Sequence, residues 1–356
     1  MNCHLIPDEK FTDKVINFLL DNYPDGCNYF FIYNEGKKFY EGNYKNVKKV
    51  DNILNSENEI CEILQKADRI FIHGFGATQI IKFFNKHIKF IDKSVVIMWG
   101  GDLYNDHIFL ESHNGLCLRL RYSMLLKRRI IKKTPIFMTF TCTDYDRANK
   151  WYGANGKRYD CLYPSNLDKN LLNIIKKTPD ESCKRILIGN SAMPTNNHLE
   201  AFETIKKYAG ENIKVFCPLS YGGTTEYVNN VISVGEKIFG DKFIPVLEYM
   251  SINEYSQLLA DIDIAILAFD RQQATANLEI LAYYGAKVYM KKDCALWEHY
   301  VERDKCAFYD IDNLKISTFE NFCEFSPENK EINRNYFSKI WSNAYLKTLW
   351  DEVIVS

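Results

Sequence analysis

The sequence predicts an α/β protein made of two doubly wound units in tandem. Short apolar runs alternate with stretches of helical spacing along the whole chain. The runs are continuous, as in parallel strands buried on both faces. At 356 residues, with 46% hydrophobic and 26% charged positions, the chain can fill two cores of ordinary size.

In the first half the predicted strands are Tyr29–Tyr33, Arg69–His73, Val95–Trp99 and Ile136–Thr139, separated by helical stretches. The clearest helix is Ala77–Phe90, with Ile80, Ile81, Phe84 and Ile88 on one face and Lys82, Asn85, Lys86 and Lys89 on the other. A polar stretch with a Pro-Asp turn between Pro164 and Lys184 marks the boundary, giving one domain over 1–165 and a second over 184–330. The second half repeats the rhythm with strands at Arg185–Ile188, Lys214–Cys217, Phe243–Leu247, Ile262–Phe269 and Ala286–Met290. Ser251 and Glu254 form a capping box before the helix that precedes Ile262. The aromatic helical stretch that closes the chain, 331–356, is expected to pack back on the first domain.

Composition excludes several functions. With 45 Lys and Arg against 46 Asp and Glu the net charge is -1, so no nucleic-acid partner is expected. Eleven cysteines with no C-x-x-C read as reduced thiols in a cytoplasmic protein, without a zinc site or disulfide framework. The N-terminus lacks the pattern of a signal peptide, and no stretch approaches the ~20 apolar residues of a membrane span.

Ligands of such sheets bind beyond the carboxyl ends of the strands, so those turns hold the candidate residues. Arg69–His73 runs into Gly74-Phe-Gly76, half of a dinucleotide fingerprint; Gln79 stands where the third glycine belongs, so no nicotinamide cofactor is expected. The glycines permit close approach to the backbone, and His73 is either a packed strand-end histidine or a cleft residue. After Val95–Trp99 comes Gly100-Gly101-Asp102-Leu-Tyr104, where Asp102 is a candidate general base or a helix cap.

In the second half, Gly189-Asn190-Ser191 and the following Asn197-His198 offer amide and side-chain donors at a helix start, suited to a phosphate or a sugar. Tyr221-Gly222 lies in a similar junction. Asp270-Arg271-Gln272-Gln273 puts a fixed positive charge before the next helix, suited to a diphosphate, and Glu279 in that helix is placed to accept from ribose hydroxyls. No D-x-D acid pair ends a predicted strand, so a basic residue rather than a metal is expected to neutralise a leaving diphosphate.

Together, His73-Gly-Phe-Gly, Trp99-Gly-Gly-Asp-Leu-Tyr, Ile188-Gly-Asn-Ser with Asn196-Asn-His-Leu-Glu-Ala, Pro218-Leu-Ser-Tyr-Gly and Phe269-Asp-Arg-Gln-Gln resemble the TDP-N-acetylfucosamine:lipid II N-acetylfucosaminyltransferase family, glycosyltransferase family 56. The resemblance spans about residues 65 to 300. It implies a GT-B fold, two facing Rossmann-like domains with a cleft between them. It implies a TDP-sugar donor held by Gly189, Asn190, Ser191, Asn197, His198, Tyr221, Gly222, Arg271, Gln272, Gln273, Asn277 and Glu279. A polyprenyl-diphosphate-linked saccharide acceptor would meet Gly74, Gly76, Trp99, Gly101 and Tyr104, with Asp102, His73 and Arg271 as catalytic residues.

The implied setting is bacterial O-antigen or common-antigen assembly at the cytoplasmic face of the inner membrane, with transfer of a deoxyamino sugar such as N-acetylfucosamine. The chain departs from the family at Ala274-Thr-Ala276, where glycines are expected. Residues 119–133 interleave Arg119, Arg121, Lys127, Arg128, Arg129, Lys132 and Lys133 with apolar side chains, a pattern that suits either an anionic membrane surface or an ordinary charged helix face. The rival from another class is a cytosolic nucleotide-sugar sensor that binds without catalysis.

Overall fold

The computed structural model describes residues 1–33, 39–112, 117–164, 182–270 and 272–354, and the chain divides into two compact units. The first comprises Met1–Asn166 with Ser342–Ser356, the second Leu167–Trp341.

The first unit is a seven-stranded sheet of β1 (Asn2–Pro7), β2 (Asn28–Tyr33), β3 (Val47–Val50), β4 (Arg69–His73), β5 (Ser94–Met98), β6 (Ile136–Thr139) and β7 (Lys157–Asp160), in the order β3-β2-β1-β4-β5-β6-β7. Every pairing is parallel. Alternate residues of each apolar run serve opposite faces. Cys3, Leu5, Phe31, Ile70, Ile72, Val96 and Phe137 pack with Ile80, Phe83, Phe84, Ile130 and Ile131 from helices on one side. Ile6, Phe30, Ile32, Phe71, Val95, Ile97 and Met138 pack on the other with Val15, Ile16, Leu19 and Trp350.

Three strands of this sheet are absent from the sequence expectation. β1 is central and wholly buried, yet Asn2 and His4 break its apolar run. The edge strands β3 (VKKV) and β7 (KRYD) are short and charged, as exposed edges tend to be. The helix expected over 77–90 is Thr78–Lys86 followed by a 3₁₀ segment, Ile88–Lys93.

The second unit is a six-stranded parallel sheet of β8 (Lys184–Ile188), β9 (Ile213–Pro218), β10 (Phe243–Val246), β11 (Ile264–Leu267), β12 (Lys287–Met290) and β13 (Tyr309–Asp310), in the order β10-β9-β8-β11-β12-β13. The capping box is present: Ser251 N–H donates to Glu254 Oε2 at 2.9 Å and Glu254 N–H to Ser251 Oγ at 3.3 Å.

The terminal stretch differs from expectation. Helix Pro327–Ile340 belongs to the second unit, where Phe337 meets Tyr300 and Phe308, and only helix Asn343–Ile354 joins the first. One apolar-patterned stretch thus serves two cores. A second difference is the short β13, whose end carries Asp310-Ile-Asp312, a D-x-D at a strand end that the sequence reading did not anticipate. Both carboxylates are committed: Asp310 pairs with Lys292 and accepts from Asp312 N–H at 3.0 Å, and Asp312 pairs with Lys315.

Candidate active site

In the first unit a pocket of about 470 Å³ opens at the carboxyl ends of β1, β4 and β5. Its wall includes Glu9, Tyr33, His73, Gly74, Gly76, Trp99, Gly101, Asp102 and Asn105, and therefore most of the residues assigned there from sequence. Asp102 lies in the first turn of helix Gly101–Ser112, where the helix N-terminus favours a negative charge. Its carboxylate accepts from Phe75 N–H at 2.8 Å and from Trp99 N–H at 3.1 and 3.2 Å, fastening the two strand-end turns together. Burial raises its pKa above the usual carboxylate range, against the pull of those amides and of nearby Lys127. Asp102 is thus both a structural clamp and a carboxylate with raised proton affinity on a pocket wall.

His73 is fully buried, and both ring nitrogens are engaged. Asn28 Oδ1 lies 3.1 Å from His4 Nε2, which must therefore carry the proton. His4 Nδ1 is then an acceptor for His73 Nε2–H at 3.0 Å, leaving His73 Nδ1 to accept from the Tyr163 hydroxyl at 2.6 Å. Trp99 Nε1–H donates to the same hydroxyl at 3.0 Å, so the chain of donors and acceptors closes without conflict. Burial holds both imidazoles neutral, with the His4 pKa lowered to about 3 and that of His73 also well below the usual value. His73 is thereby a fixed link that orients Tyr163 and Trp99, and not a free base.

Gly74, at φ 71°, lies under the Trp99 indole: a Cβ there would meet Trp99 at 2.7 Å. Tyr104 does not line the pocket. It is buried, its hydroxyl donates to Asp144 Oδ1 at 2.9 Å, and its ring faces the Arg147 guanidinium.

The second unit gathers another cluster beyond β8, β9 and β11. Asn190 Nδ2 donates to the Tyr221 hydroxyl at 3.0 Å, Gln273 Nε2 to Asn190 Oδ1 at 3.4 Å, and Thr195 Oγ1 to Gln273 Oε1 at 2.8 Å. Asn197 Nδ2 reaches Ala268 O at 2.8 Å and Asp270 Oδ1 at 2.6 Å, joining the β8 and β11 turns. Ser191 is held by Asn196, whose Oδ1 accepts from Asn190 N–H at 3.1 Å. Gly189, at φ 69°, allows this turn to pass close to His198; a Cβ would lie 2.7 Å from His198 Nε2. His198 is buried beside Tyr227, its pKa lowered to about 4 by desolvation. Gly222 and Gly223 also have positive φ, and Gly223 passes so close to Ala192 O that no side chain fits.

Gln272 is half-buried in the same turn, and Asn277 Nδ2 donates to the Tyr255 hydroxyl at 2.9 Å. Glu279 is held by its own unit, accepting from the Tyr300 hydroxyl at 3.0 Å and Trp341 Nε1–H at 2.8 Å. Arg271 lies outside the described residues. Ala274 takes a left-handed conformation, φ 52°, at one of the positions where the resemblance expects glycine.

Sequence reasoning missed His4, Asn28 and Tyr163 around His73, and Lys291 in the second unit. Lys291 follows β12 and bonds Glu200 at 2.9 Å and Asp270 at 3.2 Å. Its position at the end of an apolar run was the available signal. Nothing local marks His4, whose partners come from other strands.

Comparison with known proteins bears on the fold and the family. The chain is similar over its whole length to solved glycosyltransferase structures. One is WaaG, a glycosyltransferase involved in lipopolysaccharide biosynthesis (TM-score 0.61, 14% identity, 99% of each chain covered). Another is the UDP-forming α,α-trehalose-phosphate synthase of Burkholderia xenovorans (TM-score 0.66, 8% identity, 99% of each covered). A third is an α-glucosyltransferase in complex with UDP and DNA (TM-score 0.57, 12% identity, 100% of this chain and 99% of that one covered). At such identities the likeness establishes the fold, the two-domain α/β architecture of GT-B glycosyltransferases. The family model of 4-alpha-L-fucosyltransferase, glycosyl transferase group 56, matches residues 40–349, and to that glycosyltransferase family the chain belongs.

Proposed function

We propose that this glycosyltransferase moves a deoxyamino sugar such as N-acetylfucosamine from a TDP donor to a polyprenyl-diphosphate-linked saccharide, in O-antigen or common-antigen assembly at the cytoplasmic face of the bacterial inner membrane. The observation that carries the reading is the pocket of the first unit, where Asp102, with raised proton affinity, stands beside the Trp99 indole. An aromatic face and a carboxylate base are what a saccharide hydroxyl acceptor requires. Asp102 takes the proton of the acceptor hydroxyl as its oxygen bonds to the anomeric carbon and the bond to TDP breaks, with inversion. The donor lies on the Gly189–Ser191, Asn197–His198 and Tyr221–Gly222 turns, and Arg271 with the helix N-terminus at Thr275 neutralises the leaving diphosphate without a metal. The family name, a fucosyltransferase, supports a deoxyhexose donor.

The isoprenoid tail of the acceptor stays in the bilayer, so the first unit has to reach the membrane surface. Among the described residues no helix is long and apolar enough to cross a membrane. Helix Leu118–Ile131 supplies a docking face: Leu118, Tyr122 and Leu125, spaced along one side, are 82%, 64% and 63% exposed, with Arg119, Arg128, Arg129 and Lys132 also exposed. Lys127, counted from sequence among the membrane-facing cations, is instead buried.

The testing experiment measures TDP release from TDP-sugars, with and without a lipid-linked acceptor. Acceptor-stimulated release supports the reading. Saturable TDP-sugar binding with no release at all would favour a sensor and overturn it.

A further inference from the structure

Helix Gly101–Ser112, which carries Asp102, packs against helices Leu118–Ile131 and Cys142–Tyr152. Between these helices lies the Lys127–Asp106 ion pair. Lys127 is 2% exposed. Its ammonium donates to the backbone carbonyl of Asp102 at 2.8 Å and to Asp106 Oδ2 at 2.5 Å, and Asp106 Oδ2 also accepts from the Tyr152 hydroxyl at 3.1 Å.

We propose that the Lys127–Asp106 pair, whose cation is buried, is a positioning device for Asp102: it holds the first turn of the helix so that the carboxylate stays on the pocket wall, and the balance of its two charges sets the pH at which that carboxylate accepts a proton. This rests on the reading of Asp102 as the base.

Placement and charge support it. The ammonium grips the backbone of Asp102 itself, so removing it frees the residue whose side chain clamps the Phe75 and Trp99 amides. Burying a cation is costly unless it is paired, and a pair whose cation is withdrawn from water acts on neighbouring charges more strongly than a fully exposed one. The field of Lys127 lowers the proton affinity of Asp102, opposing the larger effect of desolvation. Other charged and titratable groups surround Asp102. Asp144, on the third helix, is itself raised to about 6 by burial and lies in the field of Asp102. Arg147 lies over the Tyr104 ring on the same side. Tyr152 and Tyr163 keep their protons, and the same pocket is also lined by Glu9 and the neutral His73. Among the described residues Lys127 is the cation that hydrogen-bonds to Asp102, through its backbone carbonyl.

The two members of the pair give opposite tests. Lys127→Met leaves the Asp106 charge uncompensated, so the acid limb of the kcat/KM profile moves to higher pH by about one unit, with a fall in kcat. Asp106→Asn leaves the ammonium uncompensated, and the limb moves to lower pH. A purely structural pair would lower the melting temperature in both variants and leave the limb where it is. Asp106→Asn keeps the size of the side chain and carries the test if Lys127→Met does not fold. Limbs that stay put, or move in the same direction, in folded protein overturn the proposal. Asp102→Asn is run alongside: if that variant retains full turnover, the assignment of Asp102 as base is what has failed.

Discussion

Glu279 should make the second unit lose stability as pH rises through neutrality. Its carboxyl sits between the Tyr300 hydroxyl and the Trp341 indole, and burial raises its pKa from 4.5 to about 7, despite both donors. The folded state holds this proton more tightly than the unfolded chain, so it binds more protons between pH 4.5 and about 7. Stability is therefore fully present below that window and declines as pH rises across it. At about 1.4 kcal/mol per pH unit the decline reaches ~3 kcal/mol, an upper bound because part of the residue meets solvent. Glu279→Gln keeps the shape, removes the ionisation and places an amide where it can still bond Tyr300 and Trp341. Calorimetric melting of parent and variant is compared at pH 5 and pH 8. The two should nearly match at pH 5. At pH 8 the variant should be the more stable, with a melting temperature higher by roughly 2–4 °C per kcal/mol in a unit of this size. The difference between the two pH values isolates this carboxyl from every other titration. An equal gap at both pH values, of either sign, would show that Glu279 does not hold a proton in the folded state.

Asp102→Asn should reduce turnover by roughly 10²- to 10⁴-fold in a TDP-release assay, and unchanged turnover with only a lower melting temperature would leave the residue as a clamp alone. Arg271→Ala should cost about 10²- to 10³-fold in the same assay with the fold intact; near-normal turnover removes it from the mechanism. Ala274→Gly relieves a left-handed conformation that costs an alanine about 1–2 kcal/mol, and after the larger unfolded-state entropy of glycine it should stabilise the protein by up to ~1 kcal/mol in denaturant titration; a loss of stability would refute the strain. Replacing Leu118, Tyr122 and Leu125 by Ser, with Lys127 left in place, should weaken co-sedimentation with anionic vesicles, and Arg128→Glu with Arg129→Glu should make what remains insensitive to salt; full binding in both variants moves the docking face elsewhere.

The strands legible in the sequence were those built around an unbroken apolar run. β4, β5, β8 and β11 read as continuous Ile, Val, Leu and Phe runs, and the turns after them were marked by glycine and polar residues, so the positions of Asp102, Asn190 and Gln273 could be inferred before their contacts were known. Contacts were another matter. That the Glu279 carboxylate meets Tyr300 and Trp341 depends on a helix some sixty residues further on, and that Lys127 points inward depends on Asp106 and the Asp102 carbonyl waiting for it. A basic run looks the same in sequence whether its members face solvent or a buried partner. The helical stretch at the end of the chain failed for a related reason: its periodicity shows that one side is buried, but not that Phe337 and Trp350 are buried in different cores.

β1 shows how the polar interior and the hidden strand are one problem. Asn2 and His4 make the segment read as a terminus, yet at the centre of the sheet each unsatisfied polar group would cost several kcal/mol. They are tolerated because β2 brings Asn28 and β4 brings His73 alongside them, in the parallel registers that pair Asn2 with Asn28 and His4 with Phe71. Rings on both sides, Phe30 and Phe71, stack on His4 and exclude water from it. The hydrogen-bond chain that begins at Asn28 reaches the Tyr163 hydroxyl and through it the indole of Trp99, which is on the wall of the pocket that holds Asp102. The residues that hid β1 from a reading of hydrophobic pattern are therefore the ones that tie the middle of the sheet to the candidate site.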